Sequence, residues 1–349
     1  MKRESEFMIR ALELAARGLG HTRPNPAVGA VVVKGGRIVG EGWHRKAGKD
    51  HAEVAAIKDA ARRAQRAVGR TSRTSGTSRT DSRFLGGSTL YVTLEPCSKP
   101  GLVGACTDAI VAAGIKRVVY AIPDPNPKNR GKAKRALAKA GVKCERLMDS
   151  EVERAASSLV APFAKHVATG LPYVTVKIAM SLDGKICDDS GAARWISSAH
   201  ARRFTGGLRE RVDAIMVGGE TIRRDNPSLL SHGKANPDLV RVVVSRSGKL
   251  PKSAQVFTDG APNRTLVFDD ARKAIKELGR MGITHVLCEG GLKLARSLAE
   301  DGLVDQWIAV VAPKVIGSRP VNAALCGEFA SYAPSRLGDD VILNAIFGG

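Results

Sequence analysis

No apolar run in the 349-residue chain approaches the ~20 residues a membrane-spanning helix needs, so no transmembrane segment is expected. The opening residues, MKRESEFMIR, carry charge and no apolar h-region, and no secretory signal is expected either. Cysteine is scarce: six residues, at positions 97, 106, 144, 187, 288 and 326, are too few for a disulfide scaffold and suit a reducing cytoplasm. There is no G-x-G-x-x-G run, so a Rossmann fingerprint is unsupported, and the two halves share no internal repeat. A core is not lacking. Hydrophobic residues make up 43% and charged residues 26%, which are globular fractions, and the length suggests about two domains.

Acidic residues are outnumbered, 34 to 55, which leaves a net charge of +21. Such a balance fits nucleic acid or acidic small substrates. Basic composition alone supplies no groove or base reader, so nucleic acid is not the expected partner. Between Arg62 and Arg83 stand seven arginines and one acid, Asp81. Within that stretch residues 69–87, GRTSRTSGTSRTDSRFLGG, are low-complexity and read as a flexible surface insertion.

Helical spacing of Phe7, Met8, Ala11, Leu12, Leu14 and Ala15 predicts a helix over 4–17. A valine-rich run at 27–33, a Lys34-Gly35-Gly36 turn and a strand over 37–43 read as a hairpin. An alanine-rich helix over 51–67 follows, with Asp50 at the position of an N-cap. A strand at 89–94, a helix near 105–113, a strand at 116–122 and a helix near 130–140 give a mixed α/β unit, and 149–169 reads as a connecting helix. A second α/β unit begins after Gly170-Leu171-Pro172. Its expected strands lie at 173–180, 213–217, 239–245, 265–268, 285–288 and 306–311, with helices near 198–210, 271–280 and 292–301.

His51-Ala52-Glu53 opens a predicted helix, Pro96-Cys97 follows a predicted strand, and Cys106 lies nine positions beyond Cys97. One imidazole and two thiolates supply three zinc ligands and leave a fourth position open, the pattern of a catalytic site. Zinc brings the pKa of water toward ~7, and Glu53, two residues from a ligand, is placed to carry protons. The order matches the zinc-deaminase signature H-x-E…P-C…C. Deaminases of nucleic-acid bases have Cys-x-x-Cys, whereas eight residues intervene here.

The chain resembles the bifunctional deaminase–reductase family of riboflavin biosynthesis over nearly its whole length. In the first half the resemblance rests on Asn25-Pro26-Ala27-Val28-Gly29, His51-Ala52-Glu53, 93–98 (TLEPCS), Cys106-Thr107-Asp108-Ala109 and Asp124-Pro125-Asn126-Pro127. It implies a cytidine-deaminase-like fold over 1–148, a connecting helix over 149–171 and a reductase domain over 172–349. It also implies one zinc on His51, Cys97 and Cys106, Glu53 as the catalytic proton carrier, and Asn25 at the substrate. The reaction implied is hydrolytic deamination of 2,5-diamino-6-(5-phosphoribosylamino)pyrimidin-4-one. The inter-cysteine loop departs from the family, with Leu102 in place of the usual arginine; Lys99 is the nearby charge that can stand in for it.

In the second half Lys177, 181–184 (SLDG), Trp195-Ile196-Ser197, Asp213, Thr221, Asp225-Asn226-Pro227 and Glu289-Gly290-Gly291 resemble the family's reductase domain, itself similar to dihydrofolate reductase. Paired glycines at a strand-to-helix junction let amides approach a phosphate. The resemblance implies NADPH and reduction of the ribosyl group to ribityl. Ala179, Trp195, Thr221, Asp225, Gly290 and Gly291 then match cofactor contacts, and Arg209, Leu229 and Glu289 match substrate contacts. Ser245-Arg246 replaces the usual Asp-Ser, and Arg246 suits the 2′-phosphate of NADPH. Asp183, before a glycine, reads as a turn residue. Ala193 and His232 stand where the family has a substrate serine and arginine. These departures support a rival reading, a deaminase whose second domain is a degenerate reductase serving as a dimerisation scaffold; an RNA-acting deaminase is a remoter one. A cytoplasmic homo-oligomer, dimer or tetramer, acting on a small molecule without nucleic acid or membrane is expected.

Overall fold

The computed structural model describes residues 2–69, 85–99, 104–187, 196–231, 236–260, 264–316 and 329–347. The chain divides into two compact units, Met1–Ala168 and Thr169–Gly349.

In the first unit α1 (Lys2–Ala16) precedes the hairpin β1 (Gly29–Lys34) and β2 (Arg37–Trp43), and α2 (Ala52–Gly69) leads to β3 (Thr89–Leu94). Then α3 (Cys106–Ala112), β4 (Arg117–Ile122), α4 (Lys132–Lys139), β5 (Lys143–Arg146) and α5 (Ser150–Thr169) complete the unit. The sheet order is β2-β1-β3-β4-β5, antiparallel at β2-β1-β3 and parallel at β3-β4-β5. It is mixed, as the alternation of elements predicts. Met8, Leu12 and Leu14 of α1 and Val152, Ala156 and Val160 of α5 cover one face. Ala52, Ala56 and Ala60 of α2, with Ile110 and Leu137, cover the other.

The alanines of α2 and the glycines of β2 are two halves of one contact. A Cβ on Gly42 would lie 2.3 Å from the Ala56 nitrogen and 2.5 Å from the Ala52 carbonyl oxygen, and one on Gly40 would lie 2.4 Å from the Ala56 carbonyl oxygen. Helix and strand therefore touch backbone to backbone, which fixes where the first turn of α2 stands. That helix begins at Ala52, so Asp50 lies outside it; the Asp50 carboxylate pairs with Lys58 at 2.7 Å instead of capping. Of the expected insertion at 69–87, residues 70–84 lie outside the described residues.

In the second unit the strands are β6 (Tyr173–Ser181), β7 (Ala214–Gly218), β8 (Val240–Val244), β9 (Thr265–Phe268), β10 (His285–Cys288), β11 (Gln306–Ala312), β12 (Phe329–Leu337) and β13 (Asp340–Phe347). Their order is β12-β13-β11-β6-β10-β7-β8-β9. The run from β11 to β9 is parallel, and β13 and β12 add antiparallel strands at one edge. Parallel strands covered on both faces read as continuous apolar runs, and 214–218 (AIMVG) does so, while 240–244 (VRVVV) and 285–288 (HVLC) are apolar but for Arg241 and His285. Helices α9 (Ala271–Arg280) and α10 (Leu292–Glu300) pack on one face; α6 (Ala199–Arg209), α7 (Gly219–Asp225) and the single turn α8 (Gln255–Thr258) complete the unit.

Candidate functional sites

The ends of three elements build the first site. His51 precedes α2, Glu53 lies in its first turn, Cys97 follows β3, and Cys106 opens α3. The Cys106 amide donates to Cys97 Sγ at 3.4 Å and the Thr107 amide to the Cys97 carbonyl at 3.2 Å, which closes the loop onto the helix end. His51 Nδ1 stands 3.2 Å from Cys106 Sγ and 3.6 Å from Cys97 Sγ, and the three donor atoms lie within 4.8 Å of one another. Tetrahedral zinc with Zn–S of about 2.3 Å and Zn–N of about 2.05 Å separates its N and S donors by roughly 3.5 Å. The donor set therefore fits zinc, and three donors leave the fourth position open.

Hydrogen bonding from the Cys106 thiol, and then from His51, draws Cys97 down to about 4. Its bond to Cys97 in turn pushes Cys106 up, and the Cys97 bond raises His51. Glu53 is 4% exposed; burial lifts its carboxyl to about 7, and the Cys97 charge adds to the lift. A carboxyl poised near neutrality can both take and give a proton.

Asn25 is brought to this site through His44. The Asp50 carbonyl 3.1 Å from His44 Nδ1 can only accept, so Nδ1 carries the proton and Nε2 accepts from the Asn25 amide at 3.2 Å. The His44 ring lies edge-on to that of His51, centroids 5.2 Å apart, and burial lowers its pKa. Sequence reasoning missed His44, because only the β2 turn reveals that it faces a ligand. Lys99 is exposed beyond Cys97, and Leu102 lies outside the described residues. Glu95 accepts from the amides of Gly131 at 3.0 Å, Ala133 at 3.2 Å and Asp124 at 3.3 Å, tying the Cys97 loop to the start of α4.

In the second unit a pocket opens where β6, β7 and β10 end. Five of the expected cofactor residues, Ala179, Thr221, Asp225, Gly290 and Gly291, line it together with Glu289. Lys177, which sequence placed in the pattern without a role, also lines it, with Ile178, Ile186 and Leu292. Burial lowers the Lys177 ammonium, while the Glu289 carboxylate opposes that. Arg209 stands behind Glu289, donating from Nε and Nη2 to its two carboxylate oxygens at 2.7 and 2.9 Å. Leu229 is 2% exposed, in the core at φ 57°. Arg246 is not among the residues lining the pocket and is exposed in the turn after β8, and Trp195, Ala193 and His232 fall outside the described residues. Asp183, in the turn after β6, accepts from Ser181 Oγ at 2.5 Å within that turn and from the Ile316 amide, 133 residues along the chain, at 3.2 Å.

The pocket fits a phosphate-bearing cofactor. A Cβ on Gly290 would lie 2.7 Å from Leu294 Cδ2, whereas one on Gly291, the N-cap of α10, would meet nothing within 4 Å. The junction is packed tight on one side and open on the pocket side, so amides at a helix N-terminus are accessible to an anion.

Residues 1–122 match the model of the cytidine and deoxycytidylate deaminase zinc-binding region, and residues 172–328 match that of the RibD C-terminal domain. The riboflavin biosynthesis protein RibD of Aquifex aeolicus is 35% identical over 90% of this chain and 88% of its own length. The chain belongs to the RibD family. The Escherichia coli member is 34% identical over 89% of this chain and 88% of its own. Among solved structures, Acinetobacter baumannii RibD superposes with a TM-score of 0.81 at 32% identity, covering 100% of this chain and 99% of that one. The Thermotoga maritima diaminohydroxyphosphoribosylaminopyrimidine deaminase/5-amino-6-(5-phosphoribosylamino)uracil reductase does so at 0.82 and 30%, covering 99% of both. Like its family, the chain joins a zinc-dependent deaminase to an NADPH-dependent reductase of riboflavin biosynthesis. No helix among the described residues is long and apolar enough to cross a membrane.

Proposed function

We propose that the first site deaminates 2,5-diamino-6-(5-phosphoribosylamino)pyrimidin-4-one and that the second reduces the ribosyl group of the product to ribityl. The observation that carries this reading is one chain holding both a three-donor site beside a near-neutral Glu53 and a glycine-walled pocket beside the Arg209–Glu289 pair.

His51, Cys97 and Cys106 would hold zinc, which supplies Lewis acidity and brings the pKa of water toward ~7. Glu53 takes a proton as water adds to the pyrimidine carbon bearing the amine. It returns one to the nitrogen as the C–N bond breaks, so that ammonia leaves and a carbonyl remains. Burial keeps its carboxyl basic enough for the first transfer and acidic enough for the second. Asn25, oriented by His44, and Lys99 bind substrate.

Ala179, Thr221, Asp225, Gly290 and Gly291, with Trp195 and Arg246, would hold NADPH, which would supply the hydride that reduces the open-chain sugar. Glu289 faces that reaction with its carboxylate fixed by Arg209; Arg209 and Leu229 complete the substrate side. Oligomers of this chain are part of the proposal, in the cytoplasm and without nucleic acid: the edge hairpin exposes Phe329, Tyr332, Val341 and Leu343, apolar area that a second copy can cover.

Incubating purified protein with the diamino-pyrimidinone phosphate, with and without NADPH, tests the reading. Ammonia and the deaminated product are expected in both cases, and the ribityl product only with NADPH. Deamination without NADPH consumption would favour the scaffold reading. Tight RNA binding at physiological salt would favour the nucleic-acid one.

A further inference from the structure

The strand 240–244 reads VRVVV, and its one charged side chain, Arg241, is 0% exposed. Val240 and Val242 face the core beneath α9 and α10. Arg241 lies on the opposite face with Val243, among Leu229, Leu239 and Val256. A guanidinium in such a layer is stabilised by the bonds its donors make, and in Arg241 these run from Nη1, while Nε is buried with no hydrogen-bond partner. Here Nη1 donates to the Ser228 carbonyl at 3.0 Å and pairs with the Asp259 carboxylate.

The Ser228 carbonyl belongs to a segment whose backbone is unusual. Leu229 has φ 57° and Asn226 has φ 42°, a region that a β-carbon disfavours. Residues held there persist only when their surroundings over-determine them. Three contacts do so. Asn226 Oδ1 accepts from the Gln255 amide at 2.8 Å, Arg241 takes the Ser228 carbonyl, and Arg209 Nη1 donates to the Leu230 carbonyl at 3.2 Å. Leu229 is thus bracketed by two arginines. The second of them, Arg209, spends Nε and Nη2 on Glu289. A guanidinium is planar and rigid, so the position of the Leu230 carbonyl sets the plane on which the Glu289 carboxylate rests.

We propose that Arg241, which does not line the reductase pocket, is a positioning residue for Glu289: it fixes the 228–230 backbone against which Arg209 is braced. This rests on the reading that Glu289 faces the reacting sugar. Misplacing a reacting group by about 1 Å costs up to ~100-fold in rate. Arg241→Met, similar in length and uncharged, removes the brace without filling the pocket.

The test measures reductase kcat and KM, NADPH affinity by fluorescence titration, melting temperature, and the deaminase rate of the same chain as an internal standard. Arg241→Met is expected to lower reductase kcat by about 10- to 100-fold, with NADPH affinity within about threefold of wild type and deaminase kcat unchanged. Arg241→Lys, which keeps the charge but not the planar fork, is expected to fall between. Wild-type kcat in folded, NADPH-binding Arg241→Met would overturn the proposal, and so would parallel loss of kcat, NADPH binding and thermal stability. Where Arg241→Met does not fold, Arg241→Lys decides: a kcat loss of about threefold or more with intact NADPH binding supports positioning, and wild-type kcat refutes it. Failure of the wild-type protein to reduce the deaminated pyrimidine would instead overturn the substrate reading, which separates the two.

Discussion

Gly42→Ala tests whether the backbone contact between β2 and α2 sets the deaminase geometry. The added Cβ would lie 2.3 Å from the Ala56 nitrogen, 2.5 Å from the Ala52 carbonyl oxygen and 2.7 Å from the Ala55 carbonyl carbon, where ordinary contact begins at 3.4 Å. All three neighbours are backbone of the first turns of α2, so no side chain can rotate away. Relief requires the helix start to move by roughly 1 Å, and that start carries His51 and Glu53. Overpacking of this kind costs about 1–3 kcal/mol, which in a unit of this size lowers the melting temperature by roughly 3–10 °C. A displacement of about 1 Å at the proton carrier is expected to lower deaminase kcat by about 10- to 100-fold. The assay is deaminase kcat and zinc content, with reductase kcat as the internal standard. Gly40→Ala is the control: its Cβ would lie 2.4 Å from the Ala56 carbonyl oxygen and 2.6 Å from the Ala60 Cβ, a turn farther from Glu53. It should lose comparable stability and less activity. Wild-type deamination in Gly42→Ala, or equal activity losses in both variants, would refute the reasoning.

Three further outcomes are expected. Glu53→Gln should retain zinc by elemental analysis while deamination falls by ~100-fold or more, and full activity would remove Glu53 from the mechanism. Burial pushes His285 from 6.5 down to about 4, so the native state holds it neutral while the unfolded chain protonates it. The stability it contributes is therefore complete above about pH 6.5 and lost as pH falls toward 4. Urea unfolding should show a loss of about 2 kcal/mol between pH 7 and pH 5 that His285→Gln removes; an unchanged pH slope in that variant would refute the assignment. Arg246→Ala should weaken NADPH about tenfold and leave NADH nearly unaffected, measured by titration of each, and equal losses would deny a contact to the 2′-phosphate.

The metal site was legible in the sequence because its chemistry demands particular side chains: the donors His51, Cys97 and Cys106, with Glu53 beside them, announce themselves by type, order and their place at the ends of elements. The central strands of both cores were legible because strands covered on both faces leave apolar runs, and the glycines at 290–291 because few other residues allow so close a backbone approach. Other features carried no local signal. The short β5, KCER, and the edge hairpin β12–β13, with Pro334 and an exposed strand at 329–337, lack the apolar patterning by which strands are read. Asp50 looked like a helix cap, yet Lys58 two turns along the helix took its carboxylate. His44 reaches His51 only through the turn after β2, and Arg209 finds Glu289 across 80 residues of sequence. Arg241 sits in a run that reads as pure core, and its partners Ser228 and Asp259 lie 13 and 18 residues away. Sequence by itself determined which chemistry the chain can perform, because that depends on residue type and short spacing. Tertiary structure decided which groups are held still, because a buried charge or a strained backbone is stabilised by whatever the fold brings beside it, and strand pairing sets that neighbour at separations no local pattern encodes.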